Sequence, residues 1–204
     1  MNYLAHLYLS GKNPEIIIGN MIEDFITGNI DHPRNNFLTP LMKIGVKMHR
    51  EIDTLTDTHQ LIKDCKSVFY NGFGKYSPII TDVLCDHFIV KHWTRFTTEP
   101  FDEFRPRVYA ALVQHRDLQP LQMQQMVDSM IKHDWLIGYG EMWGLERSFM
   151  NLNRRIGKDE VDLTLCLPLF ESNYVFLEEK FVDFVYLVSS FCAEFLNINY
   201  PDGQ

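Results

Sequence analysis

The sequence predicts an all-α protein built as one helical bundle. Helical periodicity recurs in almost every segment, and the breaks between segments fall at proline or glycine. The 204 residues are 46% hydrophobic, which is enough apolar surface for a substantial core. The sequence shows no internal repeat and no linker long enough to separate two domains. We therefore expect a single domain over residues 1–204.

The elements of the first half follow from capping residues and apolar spacing. The apolar run 16–18 resembles a strand, but the polar and apolar residues that follow it fit a helix better. Thr39 and Pro40 begin a helix over about 41–69, because threonine caps a helix and proline suits its first turn. Residues 77 and 78, a serine and a proline, repeat this signal for a helix that reaches about Phe96.

The second half reads in the same way. Proline, glycine and acidic residues predict helices over about 106–115, 120–135 and 141–155, with a turn at 157–159. Between Phe170 and Phe195, aromatic and aliphatic residues recur at spacings of three and four. This spacing predicts a long amphipathic helix that closes the core.

Charge and composition narrow the classes of function. A formal net charge of -8 argues against nonspecific nucleic-acid binding through a broadly basic surface. Cys65, Cys85, Cys166 and Cys192 are far apart without CxxC spacing, so we expect reduced, buried thiols. The chain lacks the basic start of a signal peptide, and no run approaches the roughly 18 apolar residues of a membrane span. We predict a cytoplasmic protein with no nucleic-acid or membrane partner.

Two acidic clusters point to metal chemistry. His49, Asp53 and Asp57 follow one another at intervals of four and share one helix face, as Asp82 and Asp86 do on the later helix. Two such faces turned toward each other would make a metal site. Imidazole nitrogens and carboxylate oxygens suit manganese, magnesium or zinc, and such a cation activates bound water. The pattern therefore indicates hydrolysis.

Further polar residues stand in apolar surroundings. His6 and the segment 19–24 each place an ionisable or amide side chain among apolar residues, and burial without a partner is costly. A metal shared with His49, Asp53, Asp86 and His87 would compensate that cost in a bundle core. The alternatives remain open at this point, because a single helical histidine is more often a hydrogen-bonded structural residue.

Several stretches together carry a recognisable set of motifs. They are residues 1–7, 19–24, 49–57, 82–93 and 144–147, the last followed by Arg154 and Arg155. In this order they resemble the acyl-carrier-protein phosphodiesterase family, from the first residue to about Arg155, with weaker similarity in the C-terminal helix. That family is regarded as a divergent relative of the HD-type metal-dependent phosphohydrolases. The resemblance therefore implies an HD-like helical bundle.

The resemblance also implies an activity and a cofactor. The family cleaves the phosphodiester that joins 4′-phosphopantetheine to a serine of holo-acyl carrier protein, and manganese is its expected metal, although magnesium or another cation is possible. Asp82 and His92 are candidates for proton transfer or for orienting a ligand, and Arg50 is a candidate for the phosphate. Arg50 points about 100° away from His49 on a helix, so a surface salt bridge fits it equally well. The candidate metal ligands are His6, Asp24, His49, Asp53, Asp86 and His87.

The implied partner sets a further expectation. Acyl carrier proteins are acidic, so an acidic enzyme needs a local basic face to receive one. The basic residues available for such a face are Lys43, Lys47, Arg105, Arg107, Arg154, Arg155 and Lys158.

Two alternatives accompany this hypothesis. An HD-like enzyme of a nucleotide or small phosphoester predicts an enclosed pocket with groups that read a base. A catalytically silent helical module would bind acyl carrier protein without cleaving it, although every acid and histidine of the matched motifs is present. The usual HD order is histidine then aspartate, whereas this chain has Asp86 before His87, so ligands do not map from that superfamily by order alone.

Overall fold

A computed structural model describes residues 1–157 and 161–201 of the chain. Within these ranges the secondary structure is helical and contains no strand, which confirms the predicted all-α class. Short 3-10 turns join several of the helices, and one of them, Glu23–Phe25, follows α2 directly. The helices are α1 (Tyr3–Leu9), α2 (Pro14–Ile22), α3 (Pro40–Thr58), α4 (Gln60–Phe73), α5 (Ser77–Lys91), α6 (Trp93–Phe96), α7 (Phe101–Gln114), α8 (Leu121–Lys132), α9 (Trp135–Gly138), α10 (Met142–Ile156), α11 (Leu167–Ser172) and α12 (Tyr174–Asn199).

Buried apolar side chains from Leu4 to Cys192 form one connected core. All four cysteines are free and buried within it, as predicted. Because helices from both halves of the chain supply this core, the arrangement supports a single domain, which stays a prediction.

Helices α2 and α3 cross with their backbones in contact. A Cβ atom added at Gly19 would lie 2.1 Å from the carbonyl oxygen of Met42, and one added at Gly45 would lie 2.3 Å from that of Ile16. Both separations are far shorter than a van der Waals contact, so only glycine fits at this crossing. The crossing brings Asn20 of α2 beside His49 of α3, where their side chains meet.

Asp86 of α5 fixes the start of α1. Its carboxylate accepts hydrogen bonds from the backbone amides of Leu4 and Ala5, both at 2.9 Å and both buried. The first amides of a helix lack partners within the helix, and they favour negative charge. Asp86 therefore caps α1, and α1 in turn carries His6 toward α2.

Three helices predicted as continuous are interrupted. His59 adopts an extended backbone, and its Nδ1 accepts from the amide of Leu61 at 3.2 Å, so it separates α3 from α4. His92 separates α5 from α6 within the predicted helix 77–96. Asn173 separates α11 from α12 and donates from Nδ2 to the carbonyl of Leu169 at 2.8 Å. The single helices predicted over 41–69, 77–96 and 170–195 are therefore wrong in their continuity.

The remaining helices agree with the prediction except at some ends. α7 begins at Phe101, and Pro106 lies inside it, where it costs one backbone hydrogen bond instead of opening the helix. α8 and α10 confirm the helices predicted from Pro120 and Glu141, although α8 stops at Lys132. Residues 158–160, which include most of the predicted turn, lie outside the described residues.

Helix α12 closes the core, as predicted. By length and composition alone it could cross a membrane, because its mean hydropathy is 1.5 in an 18-residue window. The expectation that no run of the chain approaches the length and hydropathy of a membrane span is therefore wrong. Its residues Leu177, Phe181 and Phe184 are fully buried, and it packs against α3, α4 and α5. Only 33% of that window is buried, so one face of α12 belongs to the core while Val175, Phe176 and Leu187 are exposed apolar side chains.

Candidate metal centre

Two buried histidines from different helices lie side by side. The rings of His6 on α1 and His49 on α3 are stacked, with centroids 3.9 Å apart and planes 11° apart. The Nδ1 atoms of His6 and His49 lie 2.9 Å and 3.1 Å from Oδ1 of Asn20, and Nδ1 of His49 also lies 2.7 Å from the Asn20 carbonyl oxygen. Parallel rings that share one Nδ1 partner direct both Nε2 atoms to the same side.

The hydrogen bonds of Asn20 fix the protonation of both rings. Its Nδ2 donates to Oγ of Ser10 at 2.8 Å and to the carbonyl of His6 at 3.3 Å, and Ser10 itself donates to that carbonyl. The amide oxygen of Asn20 is thus an acceptor, so each histidine places its Nδ1 proton toward it. Each neutral ring then has its lone pair on Nε2, the atom available to a metal.

Asp53 faces both of these lone pairs. Its Oδ1 lies 3.3 Å from Nε2 of His6, and its Oδ2 lies 3.1 Å from Nε2 of His49. Nε2 of His6 is buried and makes no hydrogen bond. A buried lone pair directed at a carboxylate is unfavourable unless a cation lies between them. The arrangement therefore fits a bound cation.

Glu23 and Asp24 complete the cluster on its open side. They occupy the 3-10 turn after α2, and their carboxylates lie 3.8 Å and 3.7 Å from Nε2 of His49. His49 is shared by the two groups of side chains that could hold an ion, which are His6, His49 and Asp53, and Glu23, Asp24 and His49. These nitrogen and oxygen donors suit a divalent cation such as manganese, magnesium or zinc.

The electrostatics favour the metal-binding forms of His6 and Asp53, whereas the surrounding carboxylates favour a positive charge at His49. Burial, together with the neighbouring His49, lowers the pKa of His6 to about 3, so its ring is neutral at physiological pH. Burial alone would raise the pKa of Asp53, but the neighbouring rings of His49 and His6 and the charged amino group of Met1 hold it well below its usual range. Burial likewise opposes the charged form of His49, yet Asp53, Asp24 and Glu23 raise its pKa. A cation would take the place of that positive charge.

Asp82 approaches the cluster through the amino group of Met1. This amino group lies 3.2 Å from Oδ1 of Asp53 and 3.5 Å from Oδ1 of Asp82. Burial raises the pKa of Asp82, while the amino group acts in the opposite direction. Asp82 is therefore a neighbour of Asp53 and does not belong to either ligand group.

The structure does not bring Asp86 and His87 to the cluster. Asp86 is occupied by the two amides at the start of α1, and burial raises its pKa to about 7. His87 places Nδ1 2.8 Å from the carbonyl of Tyr139 and packs edge-on against Phe170, and burial lowers its pKa to about 4. Nε2 of His87 is buried without a hydrogen-bond partner, as that of His6 is, but among the described residues neither Asp86 nor His87 belongs to a group of side chains that could hold an ion. The predicted metal role of both residues stays untested.

Arg50 and His92 are paired with carboxylates. Arg50 donates from Nε to Oε1 of Glu23 at 2.8 Å and from Nη2 to the carbonyl of Gly28 at 3.0 Å. It therefore acts on the cluster by holding Glu23. Nε2 of His92 lies 2.8 Å from Oε1 of Glu178 on α12. Asp57, on the face predicted for His49 and Asp53, instead pairs with Lys66 at the surface.

Glu23 and Asn20 are site residues that the sequence analysis did not single out. Both lie in the segment 19–24, where Asn20, Glu23 and Asp24 are spaced three and four apart among apolar residues. That spacing was the available signal, because it places the three polar side chains on one side of the chain. The 3-10 turn after Ile22 then presents both adjacent carboxylates to His49.

A cavity of about 590 Å³ opens beside the cluster. Phe25, directly after Asp24, and Val83, directly after Asp82, belong to its wall, as do Asn2 and Tyr3 at the start of α1. Residues of α8, α9 and α10 form the remainder. The cavity and the cluster therefore adjoin through these neighbouring residues, while no ligand side chain is part of the described cavity wall.

The predicted basic residues do not form one face. Lys43 pairs with Asp31 at 2.7 Å, and Arg107 pairs with Glu99 at 2.7 Å. Arg105 pairs with Asp102 and with Asp134, and Lys47 is exposed on α3. Arg154 and Arg155 differ from these, since they line the cavity. Lys158 lies outside the described residues.

The family model and the relatives that match this chain carry the same description. The family model for acyl carrier protein phosphodiesterase matches residues 1–187. A relative of that name from Yersinia pestis is 29% identical over 185 residues, which cover 90% of this chain and 93% of the relative. One from Serratia proteamaculans is 32% identical over 145 residues, or 70% of this chain and 72% of the relative. No solved structure matches the chain.

Proposed function

The chain belongs to the acyl carrier protein phosphodiesterase family, and we propose that it hydrolyses the phosphodiester between 4′-phosphopantetheine and a serine of holo-acyl carrier protein. The products are apo-acyl carrier protein and free 4′-phosphopantetheine. One observation of the structure carries the proposal, namely the buried, unpartnered Nε2 of His6 aimed with Nε2 of His49 at Asp53. This constellation is costly without a cation and suits metal-assisted hydrolysis.

A divalent metal is part of this proposal. His6, His49 and Asp53 hold it, with Glu23 and Asp24 on its open side, and Mn²⁺ is the expected ion, with Mg²⁺ or another divalent cation as the alternative. When bound, such an ion polarises the phosphoryl oxygen and lowers the pKa of a water molecule. Asn20 fixes the two rings so that both Nε2 atoms face the same point.

The carboxylates on the open side manage the protons. Asp24 is 48% exposed, and burial of the rest of the group raises its pKa, with His49 opposing this effect and Asp53 and Glu23 adding to it. A carboxylate with a raised pKa accepts a proton from the attacking water more readily. As the new bond from the water oxygen to phosphorus forms, the bond from phosphorus to the serine oxygen breaks, and the serine oxygen leaves with a proton.

The three residues predicted as catalytic have different places in this scheme. Arg50 positions Glu23, to which its Nε donates a hydrogen bond. Asp82 is near enough to the amino group of Met1 and to Asp53 to serve in proton transfer. His92 stays a candidate on sequence grounds alone. In the structure its ring is held by Glu178.

Other readings of the chain have less support. The HD-like relationship stays a prediction, as does the cytoplasmic location. An HD-like nucleotide hydrolase predicts an enclosed pocket, whereas the cavity here is open to solvent and has arginines in its wall. A catalytically silent binding module would not require an unpartnered histidine nitrogen beside a carboxylate.

Intact-mass spectrometry of holo-acyl carrier protein tests the proposal. Incubation with the whole chain and Mn²⁺ should remove the phosphopantetheine mass, and a chelator should prevent the loss. A folded, metal-loaded sample that leaves the holo mass unchanged would contradict the proposed substrate. A parallel incubation with nucleotides and small phosphodiesters would then test whether the chain is instead a hydrolase of a nucleotide or small phosphoester.

A further inference from the structure

The cavity beside the metal centre has a cationic wall. Arg147, Arg154 and Arg155 of α10 belong to its lining, and Arg154 donates a hydrogen bond to Oδ1 of Asn151 at 3.2 Å. Asp134 is the one carboxylate among the described lining residues. Its two oxygens accept hydrogen bonds from Arg105 and from the hydroxyl of Tyr109, and not from the three arginines of the cavity wall. The cavity therefore carries positive charge that is suited to an anion.

Tyr3 connects this cationic wall to the metal centre. Burial raises the pKa of the Tyr3 phenol, the adjacent Arg155 lowers it, and the charge of Asp24 raises it again. Both charged groups are thus near the same hydroxyl. Tyr3 and Arg155 line the same cavity as Phe25, the residue that directly follows Asp24 of the cluster.

An exposed aromatic wall continues from that point. Trp135 lies against Tyr3, with ring centroids 6.2 Å apart. Trp143 is 53% exposed in the cavity and rests over Gly138, where an added Cβ would lie 3.4 Å from its ring. The backbones of α9 and α10 hold it there, since a Cβ at Gly144 would lie 1.8 Å from the carbonyl oxygen of Gly138. A fixed, exposed tryptophan in a concave site is a surface for a ligand.

Amide and hydroxyl groups also line the cavity. Gln122 and Ser129 come from α8, and Ser148 and Asn151 come from α10. They supply both donors and acceptors of hydrogen bonds. A ligand that fits this cavity therefore combines an anionic end, an apolar body and neutral hydrogen-bonding groups.

We propose that this cavity receives the pantetheine arm of the substrate, an inference that depends on the function proposed above. The phosphate end lies beside Arg155 and the metal centre, and the dimethyl carbon of the arm packs on Trp143. The two amides and the hydroxyl of the arm pair with the polar residues of α8 and α10. Trp143 and Arg155 are then the residues that recognise the prosthetic group, while the carrier protein itself stays outside the cavity.

Calorimetry with the free prosthetic group tests this inference without any catalytic turnover. The titrated ligands are 4′-phosphopantetheine and pantetheine, which lacks the phosphate. Trp143→Ala should weaken binding of both by about tenfold to thirtyfold, because truncation of a tryptophan that the bound ligand covers has that effect. Arg155→Ala should weaken 4′-phosphopantetheine by about tenfold and leave pantetheine unchanged, because only the former presents the phosphate.

Matched controls separate the cavity from the rest of the surface. Leu165→Ala removes an exposed apolar side chain, and Arg95→Ala removes an exposed arginine, both outside the cavity lining. Neither should change the affinity for either ligand. Trp143→Phe should retain most of the affinity that Trp143→Ala loses, which a general loss of folding would not do.

Steady-state kinetics with holo-acyl carrier protein give a second readout. Trp143→Ala should raise KM by about tenfold or more with a smaller change in kcat, because the arm is bound in both the ground state and the transition state. If the wild-type chain cleaves the substrate but neither cavity variant alters binding or KM, the inference is overturned while the proposed function stands.

The reverse outcome is equally informative. If the wild-type chain fails to cleave holo-acyl carrier protein yet binds 4′-phosphopantetheine in a manner sensitive to Trp143 and Arg155, the cavity assignment stands and the proposed reaction falls. Preference for a nucleotide over both pantetheine ligands would overturn the assignment of the occupant.

Discussion

Replacement of Asp53 by asparagine is expected to lower kcat/KM for holo-acyl carrier protein by about a thousandfold. Asp53 is the carboxylate that both Nε2 atoms face, and asparagine keeps its shape while removing the charge. Stabilisation by a metal is worth several kcal/mol, and each 1.4 kcal/mol changes the rate about tenfold. Progress curves from intact-mass spectrometry measure this loss, and far-ultraviolet circular dichroism should show an unchanged helix signal.

Asp57→Asn is the matched control for this variant. Asp57 lies one helical turn after Asp53 on α3, but it faces solvent and pairs with Lys66. We expect its activity and its affinity for Mn²⁺ to stay within about twofold of wild type, since surface pairs contribute little. If Asp53→Asn behaved like Asp57→Asn, the metal centre would not lie where His6 and His49 converge.

Replacement of Gly45 by alanine is expected to lower the free energy of unfolding by about 2–3 kcal/mol. The new methyl group would lie 2.3 Å from the carbonyl oxygen of Ile16 and 2.6 Å from the amide nitrogen of Asn20. Both atoms belong to the backbone of α2, so the strain is relieved only if α2 and α3 move apart. The gain in helix propensity, about 1 kcal/mol, does not offset this clash.

Gly72→Ala separates the gain in helix propensity from the effect of the steric clash. Gly72 lies within α4, and an added Cβ there meets no atom within 4 Å. This variant should therefore be about 0.5–1 kcal/mol more stable than wild type. Urea unfolding followed by circular dichroism measures both variants. Equal stabilisation by Gly45→Ala would show that the two helices do not cross as closely as described.

Loss of the α2–α3 crossing should also reach the metal centre. The hydrogen bonds from His49 to Asn20 span the two helices at this crossing. Their separation would release the orientation of the His49 ring, so Gly45→Ala should lose Mn²⁺ affinity as well as stability. The fold and the site thus depend on the same pair of glycines.

The sequence alone revealed part of this centre because local spacing determines it. His49 and Asp53 are four residues apart within α3, and their side chains do meet. Asp86 could not be assigned in this way, because its partners are amides more than 80 positions earlier in the chain. Spacing along one helix indicates which residues share a face, but it does not show which element packs against that face.

The helix boundaries illustrate a related limit. His59 and Asn173 fall within apolar patterns that continue in register on both sides, so periodicity gives no sign of a break. Their side chains nevertheless bond to the backbone of a neighbouring turn and end the helix there. The Gly19 and Gly45 pair gave a visible signal, since glycine within a helix is unfavourable unless a close packing contact requires it.

An anomalous difference map, from crystals of the whole chain grown with Mn²⁺, tests the central claim most directly. We expect one strong manganese peak within bonding distance of Nε2 of His6, Nε2 of His49 and the carboxylate of Asp53. A manganese ion bound by Asp86 and His87, with the rings of His6 and His49 free of metal, would contradict it.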